Sequence, residues 1–355
     1  MSYIGEHQKW NINIDPNYEP TLTIIISTYN EEKVIERRLE NLLNVDYPRN
    51  KIEIIHIDSA STDSTYLIST NFVKMHPEIN IKIVEEDNRL GKGKALNNAL
   101  SYAKNDIIVT SDADSFFYPD TLRKIVKYLA DQNVAAVTGR EVLLNPDQSS
   151  LTQMESTYLN TMYKIKLGES KLDSMIIFQG ELSAYKRQYL TGFEEYGGDD
   201  SPTALELVQK GYKTIFAPDA FFYDATPSTF EGKSKTKIRR GQHQILLWLK
   251  CLNLLIKGKL KLNPWIALGE ILFFIIDPIL LLISLLLTIL AILYYPILLL
   301  IFIAVTPLFL FKVIRNTIQG YIIGNFTLLV ALFRIISGDK NIIWEKVDET
   351  RREFK

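Results

Sequence analysis

The run Ile107-Ile108-Val109-Thr110-Ser111-Asp112-Ala113-Asp114 decides the fold. Its first four residues are β-branched, as a buried strand requires, and it stops abruptly in an acidic turn. The same pattern recurs upstream. Thr21–Ser27 is an apolar run, and Glu31–Leu43 follows with Val34, Ile35, Leu39, Leu42 and Leu43 at helical spacing. Ile52–Ile57 reads as a second strand, Thr62–Val73 as a helix, Ile81–Glu85 as a third strand and Lys92–Ala103 as a helix. This β-α-β-α-β-α-β order predicts an α/β fold, a Rossmann-like, mostly parallel sheet with helices on both faces. Ligands of such sheets sit beyond the carboxyl ends of the strands, and the acidic turn lies there.

The rest of the 355-residue chain has a different character. Forty basic and 41 acidic residues leave a net charge of −1, which speaks against a nucleic-acid partner. Pro264–Phe311 carries two formal charges, Glu270 and Asp277. It is long enough for a helical hairpin crossing a bilayer twice, at about 20 residues per crossing, with its turn near Tyr294–Pro296. Lys257, Lys259 and Lys261 precede it and Lys312 and Arg315 follow, so the positive-inside rule places both ends in the cytoplasm. Residues 228–262 interleave lysine and arginine with Leu, Ile and Trp, as helices on an anionic membrane surface do; a solvated basic helix is the alternative. Tyr321–Ile336 is apolar but short and carries Arg334, which suits an interfacial helix, with a third crossing as the alternative. The N-terminus is polar, without the apolar core of a signal peptide, and the sole cysteine is Cys251. The expected organisation is an N-terminal extension (1–20), a catalytic domain (21–227), basic interfacial helices (228–262), two transmembrane helices (263–315), and an interfacial or third membrane helix with a charged cytoplasmic tail (316–355). The expected location is the cytoplasmic membrane, with the catalytic domain facing the cytoplasm.

Asp112 and Asp114, one residue apart at a strand end, can share a hard cation and the diphosphate it carries; Mg²⁺ or Mn²⁺ fits such oxygen ligands. Such pairs also occur on solvated turns. Gly197-Gly198-Asp199-Asp200 forms a tight loop able to present a carboxylate as general base, and Ser201-Pro202 equally suits a helix start. Asn88 through Asn97 alternates glycine with lysine ahead of a helix, offering N–H groups and charge to a phosphate, without Walker spacing. Thr28, Tyr29, Asn30 and Glu31 end the first strand, and Asp58, Ser61, Thr62 and Asp63 the second. Either set can cap the next helix; Asp58 is the better candidate ligand.

Taken together, these motifs and Arg239-Arg240 resemble family 2 glycosyltransferases of the GT-A fold, above all those like chitin-oligosaccharide, hyaluronan and cellulose synthases, and the polyprenyl-phosphate glycosyltransferases. The resemblance covers roughly residues 20–245. It implies that Thr28, Tyr29, Glu31 and Asp58 bind the donor nucleotide with Lys92 and Asp112, and that Asp112 and Asp114 hold the metal. It further implies that Arg239 and Arg240 bind diphosphate, that Gln179, Gly180 and Asp199 shape the donor-sugar and acceptor site, and that Asp200 is the catalytic base. Two departures stand out. The Asp-Asp-Gly-Ser pattern is here Asp58-Ser59-Ala60-Ser61, and the Gln-x-x-Arg-Trp of processive synthases is Thr236-Lys237-Ile238-Arg239-Arg240. Gln242, His243, Gln244 and Trp248 are partial substitutes, His243 fitting an interface histidine better than a catalyst. The expected activity is a single, inverting, metal-dependent transfer from a nucleotide diphosphate sugar to a polyprenyl-phosphate or lipid-linked acceptor at the bilayer. A processive synthase and a non-catalytic nucleotide-sugar-binding scaffold are the alternatives.

Overall fold

The computed structural model describes residues 1–195, 198–298, 300, 310–338 and 348–351. It contains two compact units. The first comprises Met1–Asn145, Met162–Thr226 and Ile342–Lys355, the second Pro146–Thr161 and Pro227–Asn341.

The first unit is built on one eight-stranded sheet. Its strands are β1 (Leu22–Thr28), β2 (Ile52–Asp58), β3 (Ile81–Glu85), β4 (Ile107–Asp112), β5 (Phe116–Phe117), β6 (Val134–Leu143), β7 (Ser183–Lys186) and β8 (Lys213–Asp224), in the spatial order β3-β2-β1-β4-β7-β6-β8-β5. The β3-β2-β1-β4 half is parallel. β7 runs antiparallel between β4 and β6, whereas β8 is again parallel to β6. The parallel half reads as near-continuous apolar runs because it is covered on both faces. Leu22, Ile24, Ile25, Ile26, Ile107, Ile108 and Val109 are all buried.

All four expected strands are present; the helix after β3 begins at the expected Lys92, and the first two connecting helices start later than periodicity suggested. The helix after β1 begins at Ile35 and that after β2 at Thr65. The intervening residues bind one another across the two loops. Glu31 N–H donates to Thr65 Oγ1 at 2.7 Å and Asn30 N–H to Ser61 Oγ at 2.9 Å, which replaces a first helical turn with a clasp.

In the second unit, Phe230–Ile256 is a single helix whose N-cap Thr229 accepts from Gly232 N–H. Pro264–Tyr294 is a continuous 31-residue helical stretch, long and apolar enough to cross a membrane, and Ile314–Ile336 is a second such segment of 23 residues. A widened π turn at Leu272–Ile276 precedes Pro278, which has no N–H to give the ladder. Leu286, Leu287, Leu290 and Leu293 are each more than half exposed, the reverse of a soluble core helix. Asp277, one of the two charges in this stretch, accepts from Tyr321 Oη at 2.8 Å. Gly241 lets Phe230–Ile256 approach the helix Lys312–Ile336 closely; a Cβ there would sit 3.3 Å from Ala331 Cβ. The helix does end at the expected Tyr294. Of the remainder of the expected hairpin, residues 299 and 301–309 lie outside the described residues, as does most of the tail.

Candidate active site

β1, β2 and β4 are in parallel register, so Thr28, Asp58 and Asp112 reach one edge of the sheet together. The first two belong to the clasp. The Asp58 carboxylate is buried and accepts from Thr28 Oγ1 at 3.0 Å, Ser61 N–H at 3.0 Å and Ser61 Oγ at 2.6 Å. The two loops turn through Asn30 (φ 57°) and Ala60 (φ 56°) respectively, both in the left-handed region. Asn tolerates that region and Ala does not. Ala60 occupies the place where the family pattern carries glycine, so the backbone geometry persists although the residue suited to it is missing. The Tyr29 ring lies under the Arg89 guanidinium, 3.9 Å from centroid to carbon, and offers a flat polarised surface at the strand end.

A charged centre forms where β4 ends. Lys92 is the first residue of its helix, after Gly91 at φ 101°, and its ammonium lies 2.7 Å from Asp112 Oδ1 and 3.6 Å from Asp199 Oδ2. Burial opposes the Lys92 charge, but Asp112 and Asp199 outweigh it and hold its pKa well above the ordinary value. Gly180 makes this approach possible. A Cβ at Gly180 would stand 2.7 Å from Lys92 Nζ, 3.9 Å from Asp199 Oδ2 and 3.7 Å from Asp200 Oδ2. The glycine–lysine loop, the β4 acids, the segment before β7 and the Asp199-Asp200 pair therefore meet at one point. Asp200 opens the helix Asp200–Gln209 and accepts its neighbour Ser201 N–H at 2.7 Å, so the helix-start reading holds. A helix N-terminus lowers a carboxyl pKa. Here burial and the adjacent Asp199 prevail over that and over Lys92, and push Asp200 up to about 7. Asp199 is raised as well, by burial first.

Several charged groups here were not singled out from the sequence. Arg38 is wholly buried behind β4 and donates to Ser111 Oγ at 2.8 Å while packing on Phe117 at 4.1 Å. Burial lowers its pKa to about 9, against the pull of Asp112 and Asp114. Lys166 is buried on the helix Ser150–Leu172; burial lowers its pKa although Glu141, Glu181 and Asp200 pull it the other way. Gln179 Nε2 donates to Glu141 Oε2 at 3.2 Å. Arg351 places Nη1 2.8 Å from Asp114 Oδ2, with Nε and Nη2 forked on Glu31 at 3.0 and 2.7 Å. Buried arginines within amphipathic helices carry no sequence signature, and Arg351 lies 237 positions beyond Asp114, so no local pattern links them.

Asp112 and Asp114 suit a divalent cation. Mg²⁺ and Mn²⁺ in nucleotide sites are held by one or two carboxylates together with substrate phosphates, and a strand-end pair of hard oxygen donors is that set. Among the described residues no group of three or more His, Cys, Asp or Glu side chains could hold an ion unaided, so binding would depend on the phosphates. Arg239 and Arg240 lie on the helix Phe230–Ile256 in the second unit. So does Trp248, which is buried there. Gly197 lies outside the described residues.

The model of glycosyl transferase family 2 matches residues 23–192. The structure of the mannosyltransferase PcManGT from Pyrobaculum calidifontis, in complex with GDP-Man and Mn²⁺, superposes with a TM-score of 0.80 at 31% identity, covering 94% of this chain and 92% of that one. This chain belongs to glycosyltransferase family 2. The probable glycosyltransferase YdaM of Bacillus subtilis (strain 168) is 26% identical over 265 residues, 70% of this chain and 60% of that protein. A poly-beta-1,6-N-acetyl-D-glucosamine synthase of Staphylococcus epidermidis is 26% identical over 234 residues, 64% and 55% of the respective lengths. The chain thus spans 55–60% of these curated relatives. For this family member the GT-A-like sheet carries the acidic turn of β4, and Lys92, which opens the helix Lys92–Tyr102, is paired with it.

Proposed function

We propose that this glycosyltransferase moves a single sugar, with inversion, from a nucleotide diphosphate sugar to a polyprenyl-phosphate or other lipid-linked acceptor at the cytoplasmic face of a membrane. The observation that carries the reading is the meeting of Lys92 with Asp112 and Asp199 beside Gly180, with Asp200 raised into the range of a physiological base. One group is thereby set to neutralise a diphosphate and another to take a proton, within one strand-end cleft.

In this reading Asp200 accepts the proton of the attacking oxygen, a sugar hydroxyl of a lipid-linked acceptor or the P–OH of a singly ionised polyprenyl phosphate, as that oxygen bonds to the anomeric carbon. The bond from that carbon to the diphosphate breaks on the opposite side, and its electron pair leaves with the nucleoside diphosphate. Lys92 meets the charge that develops there. Asp114, with Asp112, would hold Mg²⁺ or Mn²⁺, which supplies Lewis-acid stabilisation of the departing diphosphate. Tyr29, Thr28, Glu31 and Asp58 form the nucleotide side of the cleft, and Gln179, Gly180 and Asp199 the sugar side. Arg239 and Arg240 are proposed as further diphosphate contacts. The two long apolar helices support an anchored enzyme, and the basic stretch 228–262 supports an acceptor presented at headgroup level.

Purified protein in lipid, given a donor panel headed by GDP-mannose with Mn²⁺ and with or without polyprenyl phosphate, tests this. Nucleoside diphosphate release that requires lipid, metal and Asp200 is the expected result; release indifferent to the lipid would overturn the acceptor assignment. The likeness to a polysaccharide synthase favours processive synthesis as a second reading. A glycan that lengthens on one initiating acceptor would establish it instead.

A further inference from the structure

Arg351 is far downstream of the motifs described above, yet it is buried in the first unit as several of them are. Its side chain is 5% exposed, that of Glu31 3% and that of Asp114 16%. The short 3-10 turn Asp348–Arg351 delivers it. Thr350 is buried beside it, and its Oγ1 accepts from Arg351 Nη1 at 2.6 Å. The contacts are unequal. Nε and Nη2 grip both oxygens of Glu31 in a parallel fork, whereas Nη1 alone spans to Asp114. Asp224, at the end of β8, adds a third negative charge nearby and helps hold the guanidinium protonated.

We propose that Arg351 is a donor-diphosphate ligand, anchored by Glu31 and exchanging its bond to Asp114 for one to a phosphate oxygen when donor binds. The inference rests on the donor-site reading of Asp112 and Asp114 given above. A diphosphate brought against Asp114 comes within reach of Nη1, because Nη1 is already 2.8 Å from that carboxylate. An arginine with one edge on a carboxylate and another edge turned to phosphate is a common arrangement, since the planar fork can serve both at once. The competing idea is a plug, in which Arg351 must leave before donor can enter. That departure would take from the nearly buried Glu31 carboxylate the fork that grips both of its oxygens, a far worse exchange than trading one carboxylate oxygen for a phosphate oxygen. The place also explains the division of labour at the clasp. Glu31 N–H ties the clasp to Thr65, and its carboxylate carries the arginine.

The test is isothermal titration of the full chain in detergent with GDP and UDP in the presence of Mn²⁺, and with GMP and UMP as controls. Arg351→Ala is expected to weaken the nucleoside diphosphate that wild type binds by about 10- to 100-fold, the worth of a charge-assisted hydrogen bond, and to move the matching monophosphate by less than about threefold. Arg351→Lys, which keeps the charge but loses the fork, should fall between; it serves as the variant of record if Arg351→Ala does not fold. Equal weakening of mono- and diphosphate would make Arg351 purely structural, and tighter diphosphate binding by the variant would establish the plug; either overturns the proposal. Wild type that binds none of the four nucleotides would instead remove the donor-site reading on which it stands.

Discussion

Asp200 is the residue on which the proposed chemistry most depends, and its substitution by asparagine separates two effects of the same carboxyl. Burial and Asp199 raise this group from an ordinary 3.8 to about 7. As a base it must be deprotonated, so kcat/KM for wild type should fall tenfold for each pH unit below about 7 and level off above it. Asp200→Asn should remove this limb and reduce the rate by about 10²- to 10⁴-fold, the usual worth of a positioned base. The stability effect has the opposite sense. The folded state holds the Asp200 proton more tightly than the unfolded chain, so this group's contribution is most favourable below about pH 4 and declines as pH rises to 7. The full difference corresponds to about 4 kcal/mol at most. Asp200 is only partly buried, and solvent screening brings the expected value nearer 2 kcal/mol. Asp200→Asn should therefore be more stable than wild type at pH 8 and equal to it near pH 4, measured by denaturant unfolding in detergent at both pH values. A variant that is inactive yet no more stable at pH 8 would show that Asp200 is not held at a raised pKa. A flat wild-type rate profile from pH 5.5 to 8.5 would remove it as the base.

Three further outcomes follow from single positions. Ala60→Gly should stabilise the protein by about 1 kcal/mol, because it relieves an alanine at φ 56°, and raise the melting temperature by a few degrees; an unchanged or lower value would mean the loop is not strained. Gly180→Ala places a methyl 2.7 Å from Lys92 Nζ, which a flexible side chain avoids by moving. It should leave stability within about 1 kcal/mol while cutting turnover at least about tenfold, seen as a fall in kcat with an unchanged unfolding midpoint. Asp114→Asn should abolish the stimulation of nucleoside diphosphate binding by Mn²⁺, read by titration with and without the ion; stimulation that survives would put the cation elsewhere.

The parallel half of the sheet was legible because each of its strands is a contiguous apolar run followed by a helix, and burial on both faces leaves that run unbroken. The later start of the two helices was not, since the Asn30–Ser61 and Glu31–Thr65 bonds join loops separated by some 30 residues and use the very residue types that favour helix caps. The same limit applies to charge. The sequence offered Asp112, Asp114, Asp199 and Asp200 as acids, but what each can do depends on which cation stands next to it. Lys92 lies between Asp112 and Asp199, Arg38 lies behind the turn, Lys166 feels the charges of Glu141, Glu181 and Asp200, and Arg351 faces Asp114 from the other side of the chain's numbering. Only three-dimensional proximity divides those four carboxyls into two kinds. Asp112, Asp114 and Asp199 each have a cation within ion-pair distance. Asp200 is instead crowded by Asp199 more than Lys92 relieves it. In the proposed mechanism that difference sets the phosphate side of the site apart from its proton acceptor, and substituting Lys92 by methionine would take the cation from Asp112 and Asp199 while Asp114 kept Arg351.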